Sequence, residues 1–223
     1  MDNKNFNSFN VAEKIKGVFI TFEGIDGSGK STQIQLLKKI IRRLKLQDCF
    51  VFLYEPTDFD TGKKIRQYLK ENRNLTLEEW FMLFDKDREK NVQLNILPNQ
   101  DKIIIMDRYY PSTAAYQAKD LEDVYKIFIN SFNKYPKPKR VFYLDIDLKN
   151  ALVRIKKRYS YTETFEKEQE LSRILENYQH LKKLFDRYSL NWENISGLNP
   201  PYKIAKYIVK KIFSDYKDQN KTV

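Results

Sequence analysis

Four short, mainly apolar runs are spread along the chain at 18–22, 49–54, 103–106 and 141–145, and a weaker strand candidate follows at 192–195. These five segments alternate with longer stretches of helical periodicity. Uninterrupted runs rich in β-branched and aromatic residues are typical of strands that are buried on both faces in a parallel sheet. Strands that alternate with helices predict an α/β fold, with one five-stranded parallel sheet and helices on both of its faces.

The intervening stretches predict the helices. The helix after the first strand begins near Lys30, and a short basic helix begins at Thr61. Apolar positions between 75 and 97 predict one long amphipathic helix that ends at Pro98, and another helix is expected from the end of the third strand through Phe128. The chain shows no repeat and no long linker. We therefore expect a disordered N-terminal extension at 1–15 and a single domain at 16–223.

A glycine-rich segment lies between the first strand and the first helix. Glycines allow consecutive backbone N–H groups to face an anion, and the helix N-terminus adds its positive dipole end. Lys30 then reaches the β- and γ-phosphates, and the Ser31 hydroxyl is a ligand for Mg²⁺. The alternative is a glycine-rich turn that fits the GxxxxGK[ST] pattern by chance. The predicted nucleotide-binding residues are Gly24, Ile25, Asp26, Gly27, Ser28, Gly29, Lys30, Ser31 and Thr32.

Polar residues also follow the other predicted strands. Ligands bind beyond the carboxyl ends of the strands in an open parallel sheet, where Glu55, Asp107 and Asp145 are expected to meet the phosphate loop. Asp107 is placed like the Walker B carboxylate that helps to hold Mg²⁺, although it could instead cap the following helix. Arg108 is suited to bidentate phosphate binding, with a surface ion pair as its alternative.

Two helical segments carry further candidates. Phe84 and Arg88 lie one helical turn apart and project from the same face, where a ring and a guanidinium can hold a nucleobase; the alternative is that Phe84 belongs to the core. Arg154 and Arg158 form a basic helix end before a polar break at 159–164. These cations can stabilise charge on transferring phosphates, or simply form a solvated basic face.

Composition narrows the class of protein. The 223 residues include 41 Lys+Arg against 30 Asp+Glu, a formal net charge of +11 that suits phosphate chemistry or nucleic-acid binding. Cys49 is the single cysteine, which excludes an intramolecular disulfide. The first residues lack the apolar core of a signal peptide, and no apolar run approaches a membrane span. A cytoplasmic protein with no membrane partner is expected.

The motifs resemble those of thymidylate kinases (dTMP kinases) from about residue 17 to the end of the chain. The segment from Phe22 to Thr32 resembles the family's phosphate loop, and the segment from Asp107 to Gln117 is similar to its second motif. Glu55-Pro56 resembles its Arg-Glu-Pro element, and Phe84 with Arg88 resembles its base-binding pair. The resemblance implies a three-layer P-loop NTPase fold with a lid segment at about 154–166.

The resemblance also implies a division of roles. Lys30 and the loop amides would hold ATP, Ser31 and Asp107 would organise Mg²⁺, and Arg154 or Arg158 would supply the lid cation. On the acceptor side, Phe84 would stack on thymine and Arg88 would read its O4 atom. Asp26 would lie near the 3′-hydroxyl, Arg108 would bind the phosphate, and Thr113 would lie near the base. Tyr116 would pack under the sugar, and Glu55 and the lid residue Glu166 would complete the acceptor site.

Two positions depart from the family pattern. Tyr54 stands where the family has an arginine before Glu-Pro, and Thr164 stands where a lid arginine is frequent. The prediction is an ATP-dependent kinase that converts dTMP to dTDP, as a homodimer without a nucleic-acid partner. The alternatives are a related kinase with another acceptor, dUMP first, and a nucleic-acid-binding ATPase suggested by the net charge.

Overall fold

A computed structural model describes residues 17–158 and 165–220. Within them lies one sheet of five parallel strands in the order β2-β3-β1-β4-β5. This confirms the predicted five-stranded parallel sheet. The strands are β1 (Phe19–Glu23), β2 (Phe50–Tyr54), β3 (Ile103–Asp107), β4 (Arg140–Asp145) and β5 (Trp192–Ser196).

The described helices connect these strands and cover both faces of the sheet. Two of them, α1 and α8, pack together on one face, whereas α3, α4, α5 and α7 lie on the other. The helices are α1 (Lys30–Arg43), α2 (Asp60–Lys70), α3 (Leu77–Asn91), α4 (Tyr110–Gln117), α5 (Leu121–Lys134), α6 (Leu148–Arg158), α7 (Phe165–Arg187) and α8 (Pro201–Asn220).

Alternation along the central strand explains the two hydrophobic layers. Successive side chains of a strand point to opposite faces. Ile20 and Phe22 therefore pack with Leu37 of α1 and Ile208 of α8, whereas Phe19 packs into the opposite layer. A strand that is apolar on both faces must be covered on both, which places this sheet at the centre of three layers.

Two helix predictions need correction. The stretch 75–97, expected as one helix, is divided into three parts. Helix α3 ends at Asn91, a π-helical turn follows (Val92–Ile96), and a 3₁₀ turn that contains Pro98 comes last (Leu97–Asn99). The helix expected from β3 through Phe128 is divided into α4 and α5. Ala118 is extended between them, and the Asp120 side chain accepts a hydrogen bond from the Asp123 N–H to cap α5. Apolar periodicity alone does not record such a local break.

The strand register brings the predicted polar residues to one edge. Tyr54 and Phe22 both pair with Asp107, and Asp145 pairs with Ser196. The N-terminal extension at 1–15 and the polar break at 159–164 lie outside the described residues. No helix in 17–158 or 165–220 combines the length and the apolar character needed to cross a membrane.

Candidate active site

The phosphate loop has the backbone geometry that its glycines predict. Gly24, Gly27 and Gly29 have φ angles of 137°, 79° and 104°, which side chains rarely permit. A Cβ atom on Gly24 would also lie 2.8 Å from the backbone oxygen of Leu144. The loop ends at Lys30, the first residue of α1, so its amides and the helix N-terminus converge on one point.

Lys30 is buried in this loop. Its ammonium donates to the backbone oxygens of Gly24 at 2.8 Å and Ile25 at 3.0 Å. Burial, with help from the neighbouring Arg108, lowers the pKa of Lys30 to about 8. The Ile25 side chain packs in the hydrophobic core, so this residue contributes to the loop through its backbone only.

A cavity of about 840 Å³ opens at the carboxyl edge of the sheet beside the loop. This volume lies within the range of pockets that hold nucleotide-sized ligands. Loop residues 26–32 form one wall, and the turn after β2 forms another. The remaining lining residues include Gln33, Asp107, Arg108, Arg154, Ile155, Gly197, Asn199, Pro201 and Ile204.

Ser31 and Asp107 both line this cavity, as a Mg²⁺ site at the phosphate loop requires. The Asp107 Oδ1 atom is buried and has no hydrogen-bond partner among the described residues. A buried acceptor of this kind suits a cation, and one carboxylate with one hydroxyl suits Mg²⁺, which keeps several water ligands. No cluster of three or more potential metal-binding side chains occurs in the described part of the chain.

Arg108 connects the phosphate loop to α4. Its Nη2 donates to Asp26 Oδ1 at 2.6 Å and to the Tyr116 hydroxyl at 3.0 Å, and its Nη1 donates to Ser112 Oγ at 3.1 Å. Its φ angle of 66° lies in the left-handed region, which is unusual for a residue with a side chain. The structure thus brings Asp26, Arg108 and Tyr116 together, and their roles in binding an acceptor stay predictions.

A buried acid that sequence reasoning missed supports this segment. Glu23, at the end of β1, accepts hydrogen bonds from the Tyr109 N–H at 2.8 Å and from Ser112 Oγ at 2.5 Å. The Tyr178 hydroxyl of α7 donates to it at 3.2 Å. Burial raises the pKa of Glu23 to about 7. The residue is polar within an apolar strand, and that was its only signal in the sequence.

Arg88 is fully buried at the other end of the candidate site. Its Nε and Nη2 donate to Glu55 Oε2 at 3.0 and 2.8 Å, and Nη2 also donates to Thr113 Oγ1 at 2.7 Å. The guanidinium lies 5.3 Å from the ring centre of Tyr109 and 5.7 Å from that of Tyr135. Nη1 has no partner among the described residues.

Glu55 joins this group to the cavity, because it both holds Arg88 and lines the cavity wall. Burial raises the pKa of Glu55 to about 7, even though the adjacent Arg88 charge acts in the opposite direction. Neither Phe84 nor Arg88 is part of the cavity lining. Phe84 is half-buried and packs against Trp80 with ring centres 6.1 Å apart, so its stacking on a base stays a prediction.

Arg154 spans two sides of the cavity mouth. Its Nη1 donates to the backbone oxygen of Gly27 at 3.2 Å, and its Nη2 donates to that of Gly197 at 2.8 Å. Its guanidinium is therefore next to the phosphate loop, where a lid cation is expected. The side chains of the other two lid candidates, Arg158 and Glu166, lie outside the described residues.

Arg66 is a second residue that sequence reasoning missed. Tyr54, which replaces the family's arginine, donates its hydroxyl to the Asp58 carboxylate. Arg66 of α2 donates to Asp58 Oδ1 at 3.0 Å and to the Pro56 oxygen at 2.6 Å, and it lines the cavity. Its one sequence signal was its place in the basic helix after Glu55-Pro56. A guanidinium therefore reaches this wall from α2 rather than from β2.

The fold and the loop together define a P-loop nucleotide-binding protein. The sequence model of the family "Thymidylate kinase" matches residues 22–198, which is well over half of the chain. The chain belongs to the thymidylate kinase family.

Individual relatives agree with this assignment. The thymidylate kinase of Leptospira interrogans is 38% identical over 169 residues, covering 74% of this chain and 82% of the relative. The probable thymidylate kinase of Pyrococcus horikoshii is 38% identical over 180 residues, covering 77% of this chain and 85% of the relative.

A solved structure shares the fold. The crystal structure of thymidylate kinase from Ehrlichia chaffeensis superimposes with a TM-score of 0.63 at 22% sequence identity. The similarity covers 88% of this chain and 98% of that one. At this level of identity the comparison supports the fold alone.

Proposed function

We propose that this protein transfers the γ-phosphoryl group of ATP to dTMP, giving dTDP and ADP for dTTP biosynthesis in the cytoplasm. The observation that carries the proposal is the Arg88–Glu55 pair behind the nucleotide cavity. It presents a buried guanidinium whose Nη1 lacks a partner among the described residues. A buried donor without a partner is costly unless a ligand satisfies it, and the O4 atom of thymine is a suitable acceptor.

The donor half of the site is the phosphate loop. Lys30 and the loop amides hold the β- and γ-phosphates of ATP. Ser31 and Asp107 would hold Mg²⁺, which would supply positive charge beside the transferring phosphoryl group. Arg154, already at Gly27 and Gly197, adds a cation on the open side of the loop. These residues supply positive charge around the group that moves.

The acceptor half lies between Arg108 and Arg88. Arg108 binds the dTMP phosphate, and Asp26 orients Arg108 through their 2.6 Å hydrogen bond. Tyr116, held by Arg108 Nη2, packs under the sugar, and Arg88 donates to the base. Thr113, which accepts a hydrogen bond from Arg88, contacts the base in this proposal. Phe84, one turn from Arg88 on α3, stacks on the base.

Positioning accounts for the chemistry. An oxygen of the dTMP phosphate forms a bond to the γ-phosphorus while the bond from that phosphorus to the β–γ bridging oxygen breaks, and ADP leaves. The attacking oxygen is already ionised, so the reaction needs alignment and charge neutralisation rather than a strong general base. Closure of a lid at about 154–166, including Arg158 and Glu166, excludes water and limits ATP hydrolysis.

The proposal extends to the organisation of the chain. We propose that 16–223 form one catalytic domain, that 1–15 are a disordered extension, and that the protein is a homodimer. Leu69 of α2 and Met82 of α3 are 44% and 53% exposed, as expected where a second subunit covers neighbouring helices. Sedimentation equilibrium tests the dimer directly.

A coupled ADP-release assay with MgATP tests the activity. The expected result is rapid turnover with dTMP, weaker turnover with dUMP, and little with dCMP, dAMP or dGMP. EDTA and the Lys30→Ala substitution should each abolish turnover. Turnover with a purine acceptor, or ATP hydrolysis that no nucleotide acceptor stimulates, would overturn the proposal.

A further inference from the structure

The net charge of this protein is concentrated on two helices that are far apart in sequence. Helix α1 contains five Lys or Arg and no acid, and helix α8 contains five Lys and two Asp. These two helices therefore carry a net charge of +8, out of +11 for the whole chain. Along the sequence the basic residues are scattered through many helices. The fold shows which surface carries the excess of positive charge.

The two helices form one continuous surface. Leu37 and Ile41 of α1 pack with Ile204 and Ile208 of α8 over the same face of the sheet. Seven exposed cations project from the outer side of this pair, and we call them the α1–α8 basic face. They are Lys38, Lys39, Arg42 and Arg43 on α1 and Lys203, Lys206 and Lys210 on α8.

The lysines of α8 form a stripe. At about 100° per residue, Lys203, Lys206 and Lys210 fall within an arc of about 60°. On α1, Lys38 and Arg42 are four residues apart, as are Lys39 and Arg43, so like charges lie one above the other. Such pairs weaken an isolated helix, which makes an anionic partner the natural complement of this surface.

Among the described residues, two acids near this face are bound to Arg140 of β4 rather than to the seven cations. Asp215 of α8 is buried, and both of its oxygens accept hydrogen bonds from Arg140 at 2.7 Å. Glu193 Oε2 accepts from Arg140 at 2.7 Å, and its Oε1 accepts from the Tyr207 hydroxyl and lies 3.8 Å from Lys211 Nζ at the edge of the face. Within 17–158 and 165–220, none of the seven cations of the face forms an ion pair shorter than 4.0 Å.

Tyrosine rings flank the stripe. Tyr202 is 66% exposed and Tyr207 is 41% exposed, each adjacent in sequence to a lysine of the stripe. A groove or surface that combines cations with exposed aromatic rings suits single-stranded nucleic acid, whose bases stack and whose phosphates bind lysine. A membrane-binding helix would instead present an apolar face, and the apolar faces of α1 and α8 are buried against the sheet.

We propose that the α1–α8 basic face binds single-stranded nucleic acid, with phosphates on the seven cations and bases on Tyr202 and Tyr207. None of these nine residues lines the nucleotide cavity, so the inference does not depend on the kinase reaction. It departs from the sequence expectation of no nucleic-acid partner. The charge that suggested a nucleic-acid-binding ATPase thus belongs to a surface separate from the catalytic site.

Fluorescence anisotropy with a labelled oligodeoxycytidylate tests the proposal. A length of about 20 nucleotides exceeds the ~16-nucleotide upper range of single binding modules. Cytosine avoids the ATP site and the dTMP site. The test variant is Lys203→Gln/Lys206→Gln/Lys210→Gln. The control variant, Lys119→Gln/Lys137→Gln/Lys183→Gln, removes the same charge from exposed lysines outside the α1–α8 basic face.

The wild-type protein should bind the oligonucleotide with an affinity that falls steeply with salt. Each lost phosphate contact reduces the magnitude of the slope of log affinity against log salt by ~0.7. The three substitutions of the test variant should therefore reduce that slope by about 2 and the affinity at 0.1 M salt by roughly 100-fold. The control variant should change affinity less than about threefold. Tyr202→Ala should lose about tenfold, and Tyr202→Phe should bind like wild type.

Kinase turnover serves as the folding control and should be unchanged in every variant. Equal losses in the test and control variants would show a non-specific charge effect and overturn the proposal. Absence of binding at 0.1 M salt would also overturn it. A third result would overturn it as well: the three α8 lysines are needed for binding to phosphatidylserine vesicles but not for binding to the oligonucleotide. That result would assign the face to membranes.

Discussion

Glu55 Oε2 accepts two hydrogen bonds from a single guanidinium, from Arg88 Nε at 3.0 Å and from Arg88 Nη2 at 2.8 Å. The pair is almost completely removed from solvent, with side-chain exposures of 0% for Arg88 and 4% for Glu55. Two-point binding fixes the plane of the guanidinium and leaves Nη1 as the donor that remains for a ligand. The acid therefore orients the residue that we propose reads the base.

Single and double substitutions in the Arg88–Glu55 pair should have different effects on stability but the same effect on activity. Arg88→Ala leaves the Glu55 carboxylate buried without compensation, so the free energy of unfolding should fall by about 3–5 kcal/mol. The double variant Arg88→Met/Glu55→Met replaces both charges by apolar groups and should recover most of that loss while staying inactive towards dTMP. Urea unfolding followed by circular dichroism, with activity assays on the same samples, measures both effects.

If the double variant were as unstable as Arg88→Ala, the buried charge would not be the cause of the instability. The exposed pair of Arg73 and Glu71, at 2.7 Å, supplies the matched control. Arg73→Ala should leave the urea midpoint close to that of wild type, because solvent screens exposed ion pairs.

Glu23 should make stability depend on pH. Burial raises the pKa of its carboxyl group from 4.5 to about 7 in the folded protein. Between these values the folded state retains the proton and the unfolded state does not, so the free energy of unfolding should fall as the pH rises through this window. The loss should reach about 3 kcal/mol above pH 7. The comparison of wild type with Glu23→Gln in urea unfolding isolates this contribution.

Glu55 contributes to pH dependence in the same direction, since burial also raises its pKa to about 7. Glu23→Gln should therefore reduce the slope of stability against pH without removing it. A slope identical to that of wild type would mean that the Glu23 carboxyl is ionised in the folded protein throughout the range.

Arg108 should matter chiefly for the acceptor. The hydrogen bonds of its Nη2 to Asp26 at 2.6 Å and to Tyr116 at 3.0 Å place the guanidinium between the loop and α4. Arg108→Ala should lower kcat/KM for dTMP by roughly 10²–10³, in line with the loss of one strong charge-stabilising donor. The KM for ATP should change little. A large increase in the KM for ATP with the KM for dTMP unchanged would contradict this assignment, because it would show that Arg108 binds ATP rather than dTMP.

Arg154 should show the opposite pattern. It contacts the backbone of Gly27 and Gly197 on the donor side of the cavity. Arg154→Ala should raise the KM for ATP by about tenfold, as expected when one hydrogen-bonded cation is lost from a phosphate site, and leave the KM for dTMP unchanged. Steady-state kinetics with each substrate varied in turn measure both constants. An unchanged KM for ATP would contradict this assignment.

The sequence predicted the parts of the site that follow from local pattern. A glycine loop between a strand and a helix constrains the backbone strongly, so Gly24, Gly27 and Gly29 were predictable as a group. Asp107 was predictable because it ends an apolar strand, and parallel strands end at the same edge.

Other features depend on tertiary contacts that no local pattern records. Arg66 enters the cavity from α2 because Asp58 and the Pro56 oxygen hold its guanidinium there. Glu23 is isolated in an apolar strand, and only the approach of Ser112 and Tyr178 reveals what it binds. The sequence pattern also does not indicate that α1 and α8 lie side by side with their Lys and Arg residues on one surface. In each case the information lies in pairs of residues that are distant along the chain.

The ratio of kcat/KM for dTMP to that for dCMP, measured in wild type and in Arg88→Lys, tests the central claim most directly. Thymine offers a carbonyl oxygen where cytosine carries an amino group, so an Arg88 donor held by Glu55 should prefer dTMP by at least about 100-fold. Arg88→Lys keeps a positive charge near Glu55 but lacks the rigid fork, and the preference should fall to near unity. A strong preference for dTMP that survives Arg88→Lys would contradict the account.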